Sequence, residues 1–250
     1  MNYQKYHQPF SHTTDSETGV LVIHGFTSTT SSMKYLAEKF AQHGYNVELP
    51  PLSGHGTKWD DMNKVKFTDW INDVENAYRT LQKRCKKIFV CGLSLGGALT
   101  LRLAELHPEI NGIILINNAL IFTNPKFWFV PFIKYFVPYV KAIGGDIKDP
   151  DAVEIVYTKT SLKAVHEMLK LLKLVKKEIK KVSMPALIFK SKDDHVVPIK
   201  SAIYTYENIS SKKKELVWLK NSYHVAPLDF DKDIIVKKSF EFIQNIAGEK

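Results

Sequence analysis

The chain has 250 residues, of which 44% are hydrophobic and 24% charged. That leaves room for one sizeable α/β core and excludes a disulfide mini-protein, a collagen-like chain and a wholly disordered one. Lys and Arg number 35 against 26 Asp and Glu, a net charge of +9. Such a balance suits an anionic partner, nucleic acid or an acidic membrane surface, or reflects only a lysine-rich composition. Cys85 and Cys91 show no metal-ligand spacing and read as reduced thiols of a cytoplasmic protein. Residues 1–19 carry no apolar stretch of the kind a signal peptide needs. The most hydrophobic region, 119–140, is interrupted by Lys126, Lys134, Pro125, Pro131 and Pro138, so no spanning helix is expected there.

In chain order, the first strand is predicted at 20–23 and runs into His24-Gly25-Phe26-Thr27, with a helix over 31–43 behind it. A strand at 47–49 leads to Ser53-Gly54-His55-Gly56, which reads as a structural loop without chemistry. A helix over 67–84 precedes a strand at 88–91, then Gly92-Leu93-Ser94-Leu95-Gly96 and a helix over 95–106. Strand 113–116 follows. The next strands are at 186–189 and 216–219, each followed by a helix, 200–209 and 232–246. The near-continuous apolar character of these runs predicts strands buried on both faces, as parallel strands under helices are. Alternation of β and α elements argues for a doubly wound α/β fold with a mostly parallel sheet.

Residues 119–182 break that rhythm. An aromatic, proline-punctuated stretch comes first, then Gly144-Gly145-Asp146, then a lysine-rich helical run over 162–181. So long an insertion should carry its own helices. It reads as a cap on a core made of 1–118 and 183–250. Of residues 122–139, Phe122, Phe127, Trp128, Phe129, Phe132, Tyr135, Phe136 and Tyr139 are aromatic. They pack on the core, or they form a lid that shows part of its surface to lipid. Lysines 170, 173, 176, 177, 180 and 181 would hold such a lid near anionic headgroups.

The chemistry starts at Ser94. G-x-S-x-G between a strand and a helix is a turn tight enough to need glycines beside the serine. It raises the serine Oγ at the sheet end, over a helix N-terminus that favours developing negative charge. A serine nucleophile needs a base, and the base an orienting acid. Candidates follow the later strands in the order this architecture demands: Asp193 or Asp194 after 186–189, and His224 after 216–219. His195, beside its own acid, is a poor base. The backbone N–H groups of Phe26 and Leu95 are placed to bind an oxyanion.

Taken together, these residues resemble the bacterial monoacylglycerol lipases and related small carboxylesterases of the α/β-hydrolase superfamily. The resemblance runs through His24-Gly25-Phe26-Thr27, Pro51-Leu52-Ser53-Gly54-His55-Gly56-Thr57, the serine elbow, Asp194-His195-Val196-Val197-Pro198 and Asn221-Ser222-Tyr223-His224-Val225. It implies an α/β-hydrolase fold with a helical cap. The family spacing of thirty residues between acid and histidine selects Asp194. Lys148-Asp149-Pro150-Asp151-Ala152-Val153-Glu154 is similar to the cap region lining the alcohol pocket, and Glu154 matches a glutamate that contacts glycerol. Two positions depart from the family pattern: Leu95 stands where many relatives have methionine, and the cap is richer in lysine. The implied activity is hydrolysis of monoacylglycerols, or of short and medium-chain carboxylic esters generally, with a lipid ester as partner and no metal or organic cofactor. A non-catalytic binding protein on the same fold would have lost the triad. No recognised nucleic-acid module is visible.

Overall fold

The computed structural model describes residues 3–142 and 144–248. Its strands and helices, in chain order, are β1 (Phe10–His12), β2 (Thr18–Ile23), α1 (Ser31–Gln42), β3 (Asn46–Leu49), α2 (Phe67–Gln82), β4 (Lys87–Leu93), α3 (Leu95–Leu106) and β5 (Gly112–Ile116). Then come α4 (Lys126–Ile133), β6 (Tyr139–Lys141), β7 (Lys159–Ser161), α5 (Leu162–Glu178), β8 (Ala186–Ser191), α6 (Ile199–Asn208), β9 (Lys214–Leu219) and α7 (Lys232–Ala247). A seven-stranded sheet has the order β1-β3-β2-β4-β5-β8-β9. Only β1 runs antiparallel to its neighbour. This is the α/β-hydrolase architecture that the resemblance implied.

Alternation along the strands divides the core in two. Val20, Val22, Phe89, Cys91, Ile114, Ile116, Leu187 and Phe189 face the layer of α1 and α7. Leu21, Ile23, Ile88, Val90, Ile113, Leu115, Ala186 and Ile188 face α2, α3, α5 and α6. Successive side chains of a strand point to opposite faces, so a strand covered on both sides must be apolar at every position.

Register then sets the functional edge. Ile23 pairs with Gly92, Leu93 with Ile116, Ile116 with Phe189, and Ser191 with Leu219. The parallel strands therefore end level, and the residues after each of them meet at one sheet edge, where open α/β sheets hold their ligands.

Three features depart from the sequence reading. β9 is not buried on both faces: it is the edge strand, and Trp218 is 37% exposed. β1 has too few residues for a periodicity signal and lies on the opposite edge. Within 119–182, β6 and β7 form a separate antiparallel pair that never joins the main sheet. The long helix of that segment, α5, buries Ala164, Val165, Met168, Leu171, Leu172 and Val175 in the same apolar cluster as α2 and α3. Ser161 caps it, its Oγ accepting the Ala164 N–H at 3.1 Å.

Candidate active site

Ser94 occupies the turn between β4 and α3 with φ 55° and ψ −113°. A non-glycine residue held there stores strain that the surroundings must impose. They do so by close approach. A Cβ on Gly92 would stand 2.2 Å from the Gly96 carbonyl oxygen, and one on Gly96 would stand 2.3 Å from that of Ile23. The Ser94 N–H donates to Ile116 O at 3.0 Å, and the Ser94 carbonyl accepts the Ala119 N–H at 3.0 Å. The elbow is thus pinned to the end of β5.

Asp194 and His224 come together from the loops after β8 and β9. His224 Nδ1 lies 3.0 Å from Asp194 Oδ2. A carboxylate only accepts, so the proton sits on Nδ1 and leaves Nε2 as the basic nitrogen. Asp194 Oδ1 accepts the N–H groups of Val196 at 2.9 Å and Val197 at 2.8 Å. The Lys190 ammonium bonds to Oδ2 as well. Burial pushes the Asp194 carboxyl up, but His224 and Lys190 reverse this and hold it well below the usual carboxylate range. Asp193 is exposed on the same loop. His195 is exposed too, and its Nδ1 bonds to Asp146 Oδ1 at 2.8 Å.

Leu95 follows Ser94 at the start of α3, and Phe26 lines the same pocket as Ser94. Among the described residues, neither backbone N–H is spent on a loop or cap carbonyl. The loop carrying Phe26 is aimed by His24, which is fully buried. His24 Nε2 accepts the Leu52 N–H at 3.2 Å, which leaves Nδ1 protonated to donate to Gly25 O at 2.9 Å. Gly25 O and the Phe26 N–H belong to one planar trans peptide, so fixing the carbonyl directs the N–H the opposite way. Sequence reasoning gave His24 no such role. Its ring stacks edge-on with His7 and His55, centroids 5.1 Å away in each case. Burial lowers all three, His7 to about 4 and His55 to about 3.

One pocket opens on these groups. Ser94, His224, Gly25 and Phe26 line it together with Phe122, Phe127, Val165, Met168 and Glu154 from the inserted segment. Glu154 is half-buried and accepts the Gly145 N–H at 2.7 Å through Oε2. A carboxylate has further lone pairs for a ligand hydroxyl.

Two residues of the inserted segment to which the sequence reading gave no role tie it to the edge. Asp146 Oδ2 accepts the backbone N–H groups of His224 and His195, each at 3.1 Å. Tyr157 OH accepts the Thr57 N–H at 2.8 Å and donates to Gly54 O at 2.9 Å, so the Ser53–Gly56 turn is a docking point for the segment. Asn117, at φ 45°, joins three strand ends. Its Nδ2 donates to Ser191 Oγ and His224 O, and its Oδ1 accepts the Ser191 N–H. Positive φ at a buried asparagine is the kind of trait that no local sequence signal announces.

The aromatic run divides. Phe122 and Phe127 turn inward to the pocket, whereas Trp128, Phe129, Phe132, Tyr135 and Phe136 face outward, Trp128 with 82% and Phe136 with 87% exposure. No helix among the described residues is long and apolar enough to cross a membrane. Among the same residues, no group of three or more His, Cys, Asp or Glu is placed to hold a metal ion. Cys85 and Cys91 are free and buried.

Residues 14–231 match the family model described as serine aminopeptidase, S33. The chain is 45% identical over 237 residues to a thermostable monoacylglycerol lipase of Bacillus sp. strain H-257, covering 92% of each. It is 26% identical to a carboxylesterase of Bacillus subtilis strain 168, over 91% of this chain and 92% of that one. A solved structure from work on LipS and LipT, two metagenome-derived lipolytic enzymes, matches at TM-score 0.93 and 40% identity over 96% of this chain and 98% of that one. A soluble variant of the Saccharomyces cerevisiae monoglyceride lipase matches in fold, with TM-score 0.77 at 21% identity over 96% of this chain and 90% of that one.

Proposed function

The chain belongs to the serine aminopeptidase S33 family, and from that premise we propose that it is a serine hydrolase of carboxylic esters that cleaves monoacylglycerol to glycerol and free fatty acid. The observation that carries this is that Ser94 and His224 line one largely apolar pocket with the Glu154 carboxylate, while His224 Nδ1 bonds to Asp194 behind it. The 45% identity to a monoacylglycerol lipase supports the choice of ester.

Ser94 Oγ attacks the ester carbonyl while His224 Nε2 takes its proton. The N–H groups of Phe26 and Leu95 bind the oxygen as it becomes negative, and Asp194 stabilises the imidazolium. When the C–O bond to glycerol breaks, His224 returns the proton to the departing alkoxide. Water, deprotonated by the same nitrogen, then splits the acyl-serine ester and releases the fatty acid and Ser94. Phe122, Phe127, Val165 and Met168 bound the acyl side of the pocket, and Glu154 accepts a glycerol hydroxyl. Residues 119–182 serve as a cap. Its outward aromatics and the lysines of α5 dock on an anionic lipid surface, where substrate is found. The two reduced, buried thiols suit a cytoplasmic setting.

An organophosphonate ester should label wild-type protein at Ser94, and Ser94→Ala should lose labelling and turnover together; full turnover by Ser94→Ala would overturn the mechanism. Glu154→Ala should weaken hydrolysis of monoacylglycerol relative to p-nitrophenyl esters by roughly 0.5–3 kcal/mol, the range a hydrogen bond spans with charge and burial. Equal losses on both would make Glu154 structural and favour an esterase without glycerol selectivity.

A further inference from the structure

Lys190 is a fully buried lysine in β8, four residues before Asp194. Lysine is almost never so buried unless its charge is paired. Each of its three N–H groups has an acceptor: Asp194 Oδ2, Val197 O at 2.7 Å and Asn117 Oδ1 at 3.3 Å. Its anionic partner is therefore the carboxylate that orients His224, and through the same oxygen that accepts His224 Nδ1. Nothing in the mechanism above uses this ammonium.

We infer that Lys190 is a positioning residue of the triad, whose ammonium clamps the Asp194 carboxylate and sets the lower pH limit at which His224 works as a base. The inference rests on the triad reading of Ser94, His224 and Asp194. Asp194 receives four donors, two backbone N–H groups on Oδ1 and two side chains on Oδ2, so the carboxyl plane has no freedom to turn. The ammonium also offsets part of the carboxylate's charge. Beside a bare carboxylate an imidazolium is strongly favoured; beside a carboxylate–ammonium pair it is favoured less. The ammonium therefore weakens the preference for the charged imidazolium and favours the neutral, basic ring.

Other charged groups face the same histidine. Asp146 accepts its backbone N–H and holds His195, Glu154 shares its pocket, and Asp229 accepts the N–H of Tyr223. Among the described residues, no hydrogen bond joins any of them to Asp194. Burial holds Lys190 below the ordinary lysine range, although Asp194 and Asp146 pull it back up.

The test compares kcat/KM for a soluble p-nitrophenyl ester across pH 5 to 9 in wild type, Lys190→Met and Lys190→Gln. Methionine keeps the apolar stem; glutamine keeps a donor without the charge. In both variants the acid limb should move upward by about one pH unit, roughly a tenfold loss on the steep part of that limb. An unmoved limb in both would overturn the inference, as would a glutamine variant indistinguishable from wild type beside a shifted methionine variant. If neither variant folds, NMR of Lys190 in wild type decides: an ammonium throughout pH 6 to 8 supports the clamp, and a neutral amine overturns it. Phosphonate labelling of the same wild-type protein keeps the two readings apart. An unlabelled Ser94 sinks the triad, whereas a labelled Ser94 with an unmoved limb sinks only the role of Lys190.

Discussion

The sheet edge around Ser94 and the outer face of α4 are built by opposite means. At the edge, Asp194, Asn117, Lys190 and Asp146 are buried or half-buried, and each makes several hydrogen bonds that fix a neighbour's position. On α4, Trp128, Phe129 and Phe132 are large aromatic side chains left exposed. A buried polar group left unpaired is costly, so the edge tolerates one arrangement only. An exposed aromatic surface carries no such penalty for moving and can adapt to what it meets. On the reading proposed above, the first region would carry the chemistry and the second would meet a lipid phase.

The sharpest way to break this contrast is at the edge. Asp194→Asn should lower turnover on the order of 10⁴-fold, because the amide stabilises the wrong imidazole tautomer. Asp193→Asn, on the exposed side of the same loop, should change it little. Steady-state rates on a soluble ester decide this, and a reversed pattern would assign the acid to Asp193.

Acid should act next, and also at the edge. His7, His24 and His55 are neutral when folded because burial lowers them, His7 to about 4 and His55 to about 3, whereas in the unfolded chain they titrate near 6.5. Above pH 6.5 neither state binds these protons and stability is complete. Below it the unfolded chain takes them up first, so stability falls as pH drops from about 6.5 toward 4. The melting temperature should fall by at least about 5 °C over that window. In His7→Gln the slope should be shallower, since one of the three histidines is gone; an unchanged slope would assign the acid lability to carboxylates.

The α4 face should give the smallest effect on chemistry. Wild-type protein should sediment with anionic vesicles at low salt and less so as salt rises. Trp128→Ala combined with Phe129→Ala should weaken sedimentation and leave hydrolysis of a short soluble ester within about twofold, as exposed side chains away from the pocket contribute little to folding. Absence of vesicle binding by wild type would reduce the aromatic run to pocket lining by Phe122 and Phe127.

Much of the fold is written locally in this chain. Apolar runs with turn residues between them place β2, β4, β5 and β8 to within two residues at each end, and the spacing of Gly92, Ser94 and Gly96 marks the elbow because steric exclusion at a tight turn acts on neighbours in sequence. The later aspartates and His224 can be proposed from strand ends alone. β1, β6 and β7 escape such reading because three residues hold no period, and β9 is misread because an apolar run does not say whether a sheet continues beyond it.

What the sequence determined by itself is therefore the alternation that makes a parallel sheet, the elbow that raises Ser94, and the order in which acid and base must follow. Residue spacing alone left two adjacent aspartates open and the family resemblance selected Asp194, which the tertiary structure sets against His224; it also decided that Lys190 lies buried against that carboxylate, that His24 aims the Phe26 N–H, and which aromatics of residues 122–139 turn inward. The Asp194–His224 bond spans 30 residues of chain, and even Lys190, only four residues from Asp194, and His24, beside Gly25, take their roles from burial and from partners that a local pattern does not record.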